Sequence, residues 1–368
     1  MLLFARPALL ACAAATLIAQ SEVDPRWVSV EPMSTQREDH VATLLPDGRV
    51  LIVGGHSWAS SANYGAQTPP QTSAEIYDPE TGTWRSTSGL SRSSFYLVAT
   101  PLAHGEVLIT SGPNFGEGVS TEVFDPLSER WRRVGNPRWN RWGGTTTLLK
   151  DGRVLLSGGE SGGAAIRTAE VYDPRTQSWS TTGATNSPLM LHASVLLPDG
   201  SVLAIGNRDC TRIAEIYDPV TGQWAVTQNA PLFGCIDAAV LLNDGKVLIT
   251  TSLQSQLFNP DTQEWHPVAG APSVGARHRL TLLPTGVVLA TGGGWDGSTD
   301  AVDIFDPATM TWTLGPRMSV HRCGHTATLL NDGNRVLVTG GYEGYCCDWR
   351  TTHATAELLE VPMGRSTR

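Results

Sequence analysis

One unit recurs along this chain and limits what it can fold into. Between Thr43 and Trp84 the sequence reads TLLPDGRVLIVGG, then a loop, then AEIYDPETGTW. Thr43-Leu44-Leu45 is a short apolar strand. Pro46-Asp47-Gly48 is a turn whose Asp-Gly pair supplies the positive φ angles of a tight hairpin. Val50 to Val53 is a continuous apolar run, as expected of a strand covered on both faces. Gly54-Gly55 ends that run, and Glu75-Ile76-Tyr77 reads as a third strand. Asp78-Pro79-Glu80-Thr81-Gly82 is a second turn, and Thr83-Trp84-Arg85 a fourth strand. Repetition of such a unit sets the architecture before any local reading does.

The unit returns almost to the end of the chain. First strands begin near His40, Tyr96, Thr145, His192, Ala238, His278 and His325, and lead to turn glycines at 48, 105, 152, 200, 245, 286 and 333. Fourth-strand tryptophans are Trp84, Trp131, Trp179, Trp224, Trp265 and Trp312; the seventh repeat lacks one. Trp27-Val28-Ser29-Val30 has no hairpin before it and matches the end of a repeat, as in Thr311 to Leu314. The expected fold is therefore an all-β, seven-bladed β-propeller of four-stranded blades, closed by the N-terminal strand. Closure protects edges that would otherwise invite aggregation. No interior linker breaks the series, so residues 22–368 are expected to form a single domain and a monomer.

The doubled glycines (Gly54-Gly55, Gly158-Gly159, Gly292-Gly293, Gly340-Gly341), the Tyr-Asp-Pro or Phe-Asp-Pro turns and the spaced tryptophans resemble kelch repeats. The Asp-Gly turns are similar to those of the propeller of galactose oxidase and related secreted bacterial proteins. The resemblance runs from Trp27 to about Val361 and implies the fold; kelch propellers host both binders and enzymes. Galactose oxidase implies a copper-radical site, with a Tyr-His pair leading into one blade and a tyrosine crosslinked to cysteine. The corresponding dipeptides here, Arg37-Glu38, Ser94-Phe95, Arg141-Trp142, Leu189-Met190, Gly234-Cys235, Gly275-Ala276 and Arg322-Cys323, contain no Tyr-His. Tyr96 stands about where the crosslinked tyrosine would, but the preceding blade offers Val41 and no cysteine. No cofactor and no metal are expected on this reading.

A net charge of −9 argues against a nucleic-acid partner, which needs clustered Lys and Arg. Met1 to Ser21 looks like a secretory signal, with Arg6, an apolar run from Ala8 to Ala19 and small residues at Ala19 and Ser21. It is too short for a transmembrane anchor, and no other candidate span is visible. Leu9-Leu10-Ala11-Cys12 also resembles a bacterial lipoprotein box, so anchoring through Cys12 is the alternative to a secreted or periplasmic protein. In an exported chain the cysteines read as disulfides. Cys210 and Cys235 lie in neighbouring loops and are expected to pair; Cys323 is expected to pair with Cys346 or Cys347. The alternative is a zinc or copper site drawn from His321, Cys323, His325, Cys346, Cys347 and His353.

In a propeller the Asp-Gly and Asp-Pro turns share one face, and the second-to-third-strand loops and blade links share the other. All five tryptophans outside the blade pattern, Trp58, Trp139, Trp142, Trp295 and Trp349, fall on the loop face. Such rings stack on sugars or grip proteins, or else fold back as small local cores. Arginines recur on that face at 37, 92, 141, 277 and 322; they either hold ligand carboxylates and hydroxyls or tie loop carbonyls together. His40, His192, His278 and His325 open first strands near the channel, as ligand contacts or as structural groups. Glu117, Glu160, Asp209, Asp296, Glu343 and Asp348 lie in face loops, and no pair of them stands out as acid and base.

The expected function is an exported protein that binds a carbohydrate or protein partner. The expected contacts are Trp58, Trp139, Trp142, Trp295, Trp349, Arg37, Arg141, Arg322, Tyr96 and His278. An enzyme resembling the kelch sugar mutarotases and a cell-envelope assembly scaffold are the alternatives.

Overall fold

A computed structural model describes residues 25–59, 66–67, 69–112, 118–206, 210, 213–227, 235–294, 297–345 and 350–361. The signal-like stretch 1–21 lies outside them, as do Trp295, Trp349, Cys346 and Cys347. The strands form seven four-stranded antiparallel sheets. Blade one is Val41–Leu44, Val50–Val53, Ala74–Asp78 and Thr83–Thr87, hydrogen-bonded in that order. Blades two to six repeat this order with first strands at Val98–Pro101, Thr145–Leu148, Ala193–Leu196, Ala238–Leu241 and Arg279–Leu282. Each first strand touches those of its two neighbours, and blade seven's, Thr326–Leu329, touches blade one's, so the ring is closed around a central channel.

Closure is made by the strand that the tryptophan count left over. Arg26–Val30 pairs antiparallel with Ala356–Glu360, with Trp27 opposite Leu359 and Val30 opposite Ala356. The Trp27 indole donates to Pro316 O at 2.7 Å, as the Trp84 and Trp131 indoles donate to Glu31 O and Ser88 O. With Trp224, which donates to Gly183 O, these rings tie their blades to the link behind; Trp312 donates to Ser255 Oγ instead, and the Trp179 indole nitrogen has no partner among the described residues. The same rings lean on third-strand aromatics: Trp84 on Tyr77, Trp179 on Tyr172 and Trp312 on Phe305, with centroids 4.8, 5.3 and 5.2 Å apart.

The core is divided rather than central. Second strands such as Val50–Val53 and Val247–Thr250 are buried along their whole length. Their two faces pack against different neighbours, giving one apolar cluster at each of the seven blade junctions. At the junction of blades one and two, for example, Leu51, Val53 and Ile76 meet Val107, Ile109 and Phe124. The seven turn glycines all have positive φ, from 70° at Gly333 to 97° at Gly200, which explains glycine at that position in every blade.

Candidate functional site

The loop face is built on a repeated clamp. Arg37 is fully buried; its Nη2 lies 3.0 Å from Glu75 Oε1, and its Nη1 donates to Gly54 O and Ser73 O at 2.8 and 3.0 Å. Arg141 pairs with Glu170 at 2.6 Å and donates to Gly158 O and Thr168 O at 2.8 and 2.7 Å. Arg322 pairs with Glu357 at 3.0 Å and donates to Gly340 O and Thr355 O at 2.7 and 3.2 Å. The glutamates also accept link amides, those of Ser34, Arg138 and Ser319. These arginines are thus inside the blades, and the expectation that they reach ligand is corrected. A planar, always-charged fork suits the tying of a carboxylate to two carbonyls.

The histidines form a second repeated device. His40, His192, His278 and His325 are all buried. Each Nε2 meets a hydroxyl at the end of the preceding blade's second strand: Thr339 at 2.9 Å, Ser157 at 3.1 Å, Thr250 at 2.7 Å and Thr291 at 3.0 Å. His278 Nδ1 donates to Gly275 O at 2.9 Å, so its Nε2 is the acceptor of the Thr250 hydroxyl. Burial first, then nearby arginine charge, pushes His40 and His192 down to about 3. His278 is pushed down to about 4, chiefly by burial. These rings latch neighbouring blades in the neutral form. His278, expected as a ligand contact, is one of the latches.

One residue before the latch position, the chain adopts a conformation that side chains seldom take. Asp39, Tyr96, Leu191 and Arg277 have φ of 51°, 55°, 49° and 62°. Gly143 and Gly324 hold the same position in blades three and seven, with φ of 66° and 68°. A Cβ on Gly324 would lie 2.9 Å from Asp39 Oδ1, and one on Gly143 would lie 3.0 Å from Leu191 Cδ2. The remaining left-handed non-glycine residues, apart from Cys210, sit in the Asp-Pro turns at Glu129, Gln177 and Met310 and in the matching Asn259-Pro260 turn at Gln263. The strain on the loop face is therefore gathered at the channel mouth, at a cost on the order of 1–3 kcal/mol per residue.

The mouth so formed is asymmetric. Arg277 Nη2 lies 2.6 Å from Asp39 Oδ1, across the ring from blade six to blade one. Burial opposes ionisation of Asp39, but Arg277, with His56, Arg279 and Arg350, outweighs it and holds the carboxyl below its usual range. Tyr96 is 47% exposed and stacks on Trp142, centroids 4.7 Å apart. Leu191 is 45% exposed and lines a cavity of about 280 Å³ with His192, Ile236, Asp237, His278 and Arg279. Burial pushes the Asp237 carboxyl up to about 6 against the amides of Arg277 and Ser252. Sequence reading missed Asp39, Leu191, Asp237 and Arg279. Counting back eight residues from each turn glycine would have found Asp237, because it falls in the histidine column.

Elsewhere on the face, Trp58 lies beneath the Arg350 guanidinium, 4.1 Å from its ring centre, and Trp139 faces Arg138 at 5.2 Å. Arg350 also covers Tyr342 and pairs with buried Glu38 at 2.5 Å. Cys210 and Cys235 are joined by a disulfide. Cys323 is a free, buried thiol; its expected partners, Cys346 and Cys347, lie outside the described residues. Its backbone bridges to Tyr342 through two hydrogen bonds at 3.0 and 2.8 Å, and burial pushes the thiol up.

The kelch motif matches residues 40–91 and 141–183, which hold blades one and three. No curated protein sequence matches the chain. Among solved structures of similar shape is a fungal alcohol oxidase of the AA5 family in complex with copper. It is 18% identical, the match covers 92% of this chain and 76% of that one, and the TM-score is 0.72. At that identity the likeness is one of fold. The described residues do not fit a copper centre. No three His, Cys, Asp or Glu among them are placed to hold a metal, and the four channel histidines are already bonded to hydroxyls. A kelch motif in two blades, within a closed ring of seven four-stranded blades, makes this chain a kelch-repeat β-propeller that resembles galactose oxidase in fold.

Proposed function

We propose that this protein is exported and binds a carbohydrate or a protein partner at the channel mouth of its loop face. The observation that carries this reading is the gathering of left-handed Asp39, Tyr96, Leu191 and Arg277 at that mouth. Backbone strain persists where function requires a side chain in a particular place. An exposed tyrosine stacked on Trp142 offers a ring face, and the Asp39–Arg277 pair offers charged hydrogen-bonding groups. The Cys210–Cys235 disulfide and the signal-like N-terminus favour an oxidising compartment. A glycan array and a pull-down from envelope extracts, each run with the native chain and with Tyr96→Ala, test the reading. A ligand that both proteins bind equally would place recognition elsewhere.

A second reading, sugar mutarotation, is favoured by Asp237. A proton acceptor with a pKa of about 6 beside a cavity suits acid–base work near neutrality. Polarimetry on freshly dissolved sugar separates it from binding alone: anomer exchange should accelerate with the native chain and not with Asp237→Asn.

A further inference from the structure

Asp237 breaks a pattern that the other blades explain. Eight residues before the turn glycine, blades one, four, six and seven carry His40, His192, His278 and His325. Each meets a hydroxyl from the blade before. Blade five carries Asp237 in that place, and the second strand behind it, Val202–Ile205, ends in an isoleucine with no hydroxyl to offer. Asp237 Oδ1 accepts the Arg277 amide at 2.8 Å. Its Oδ2 is buried and makes no well-formed hydrogen bond among the described residues; the Ser252 amide acts on the carboxyl without reaching hydrogen-bond geometry. An unmatched buried acceptor is costly unless something else completes it.

The same cavity holds an unmatched cation. Arg279 Nε donates to His325 O at 2.9 Å, which leaves both terminal nitrogens of the guanidinium without a bond among the described residues. The neighbouring Arg277 has Asp39 as its counter-ion; Arg279 has no carboxylate within ion-pair distance among the described residues. Arg279 is itself exposed, so its terminal nitrogens are open to an incoming anion, and the like charge of Arg277 nearby adds to the attraction. Leu191 and Ile236 give the cavity an apolar wall. At about 280 Å³ it falls just below the range that holds drug-sized ligands, roughly 300–1,000 Å³, and is far too small for a folded partner.

We propose that this cavity takes a sugar acid of monosaccharide size, with Arg279 holding the carboxylate and Asp237 accepting a hydroxyl. The inference rests on the channel-mouth binding reading and names the ligand class for it. Calorimetric titration of the native chain with D-glucuronate and D-galacturonate, against D-glucose and D-galactose, tests it. The acids should bind at least tenfold more tightly than their neutral counterparts. Arg279→Gln should erase that advantage while keeping the native melting temperature, and Asp237→Asn should weaken both classes. If Arg279→Gln does not fold, Arg279→Lys keeps the charge and loses the fork, and should weaken the acids alone. Equal binding of acids and neutral sugars overturns the sugar-acid inference and leaves channel-mouth binding standing. So does an unchanged preference for the acids in the Arg279 variant. If none of the four sugars binds, the inference falls, and the channel-mouth reading is then decided by the glycan and envelope screens with Tyr96→Ala.

Discussion

Replacing Arg141 by methionine should destabilise the ring, not weaken a ligand. Arg141 and Glu170 are buried, with side-chain exposures of 2% and 1%, and lie 2.6 Å apart. Removing one member of such a pair leaves an uncompensated buried charge, at about 3–5 kcal/mol. The methionine also strands the Gly158 carbonyl and leaves the Thr168 carbonyl with the Gly158 amide alone. Unfolding entropy is about 2.1 cal/mol/K per residue, so a ring of this length melting as one unit should lose about 4–7 °C. Glu170→Leu should cost a similar amount, because it strands the guanidinium and the Arg138 amide. The double variant should cost less than the sum, by a coupling energy of about 2 kcal/mol, since neither buried charge remains. Differential scanning calorimetry on the four proteins reads all of this. Single variants that melt within a degree of the native chain would refute the clamp and return Arg141 to the ligand-binding candidates.

Removing residues through Val30 should expose the edge of Ala356–Glu360, release the Trp27 indole from Pro316, and bring both aggregation and a lower melting temperature; an unchanged melt would refute closure. Stability should fall as pH drops below about 6.5, where unfolded histidine takes up protons that the latches, at about 3 to 4, refuse. The sign is that of a depressed base: the contribution is full above the unfolded value and is lost on acidification, at about 2 kcal/mol per latch by pH 5. Asp237, raised to about 6, acts in the opposite sense, as one group against four. Urea unfolding at pH 7 and pH 5 measures the difference, and equal stabilities would exclude neutral latches. Trp179→Ala should destabilise by about 3–5 kcal/mol through lost packing on Tyr172, while Trp142→Ala should leave the melt nearly unchanged and weaken binding. If both melt alike, Trp142 is a local core residue.

The strand order, the blade number and the closing role of Arg26–Val30 were all readable without a structure. They depend on short-range chemistry repeated many times: Asp-Gly turns, apolar second strands, and a tryptophan in each outer strand, the seventh supplied by Trp27. The meeting of Cys210 and Cys235 followed from the same periodicity, because adjacent repeats place their loops side by side. The arginines show where that reasoning stops. Arg37, Arg141 and Arg322 share a column with one another, but Arg277 stands two residues further on and turns into the channel mouth. Nothing in residue type distinguishes a clamp from a mouth residue; the distinction lies in which buried carboxylate each one meets. The left-handed backbone at Asp39, Tyr96, Leu191 and Arg277 was equally hidden, because none of these residue types prefers that conformation as glycine does. The chain's periodicity determined the ring. Tertiary structure alone decided which polar groups are satisfied within it, because satisfaction depends on contacts between blades, and so left Asp237 Oδ2 and the terminal nitrogens of Arg279 beside one cavity without hydrogen bonds among the described residues.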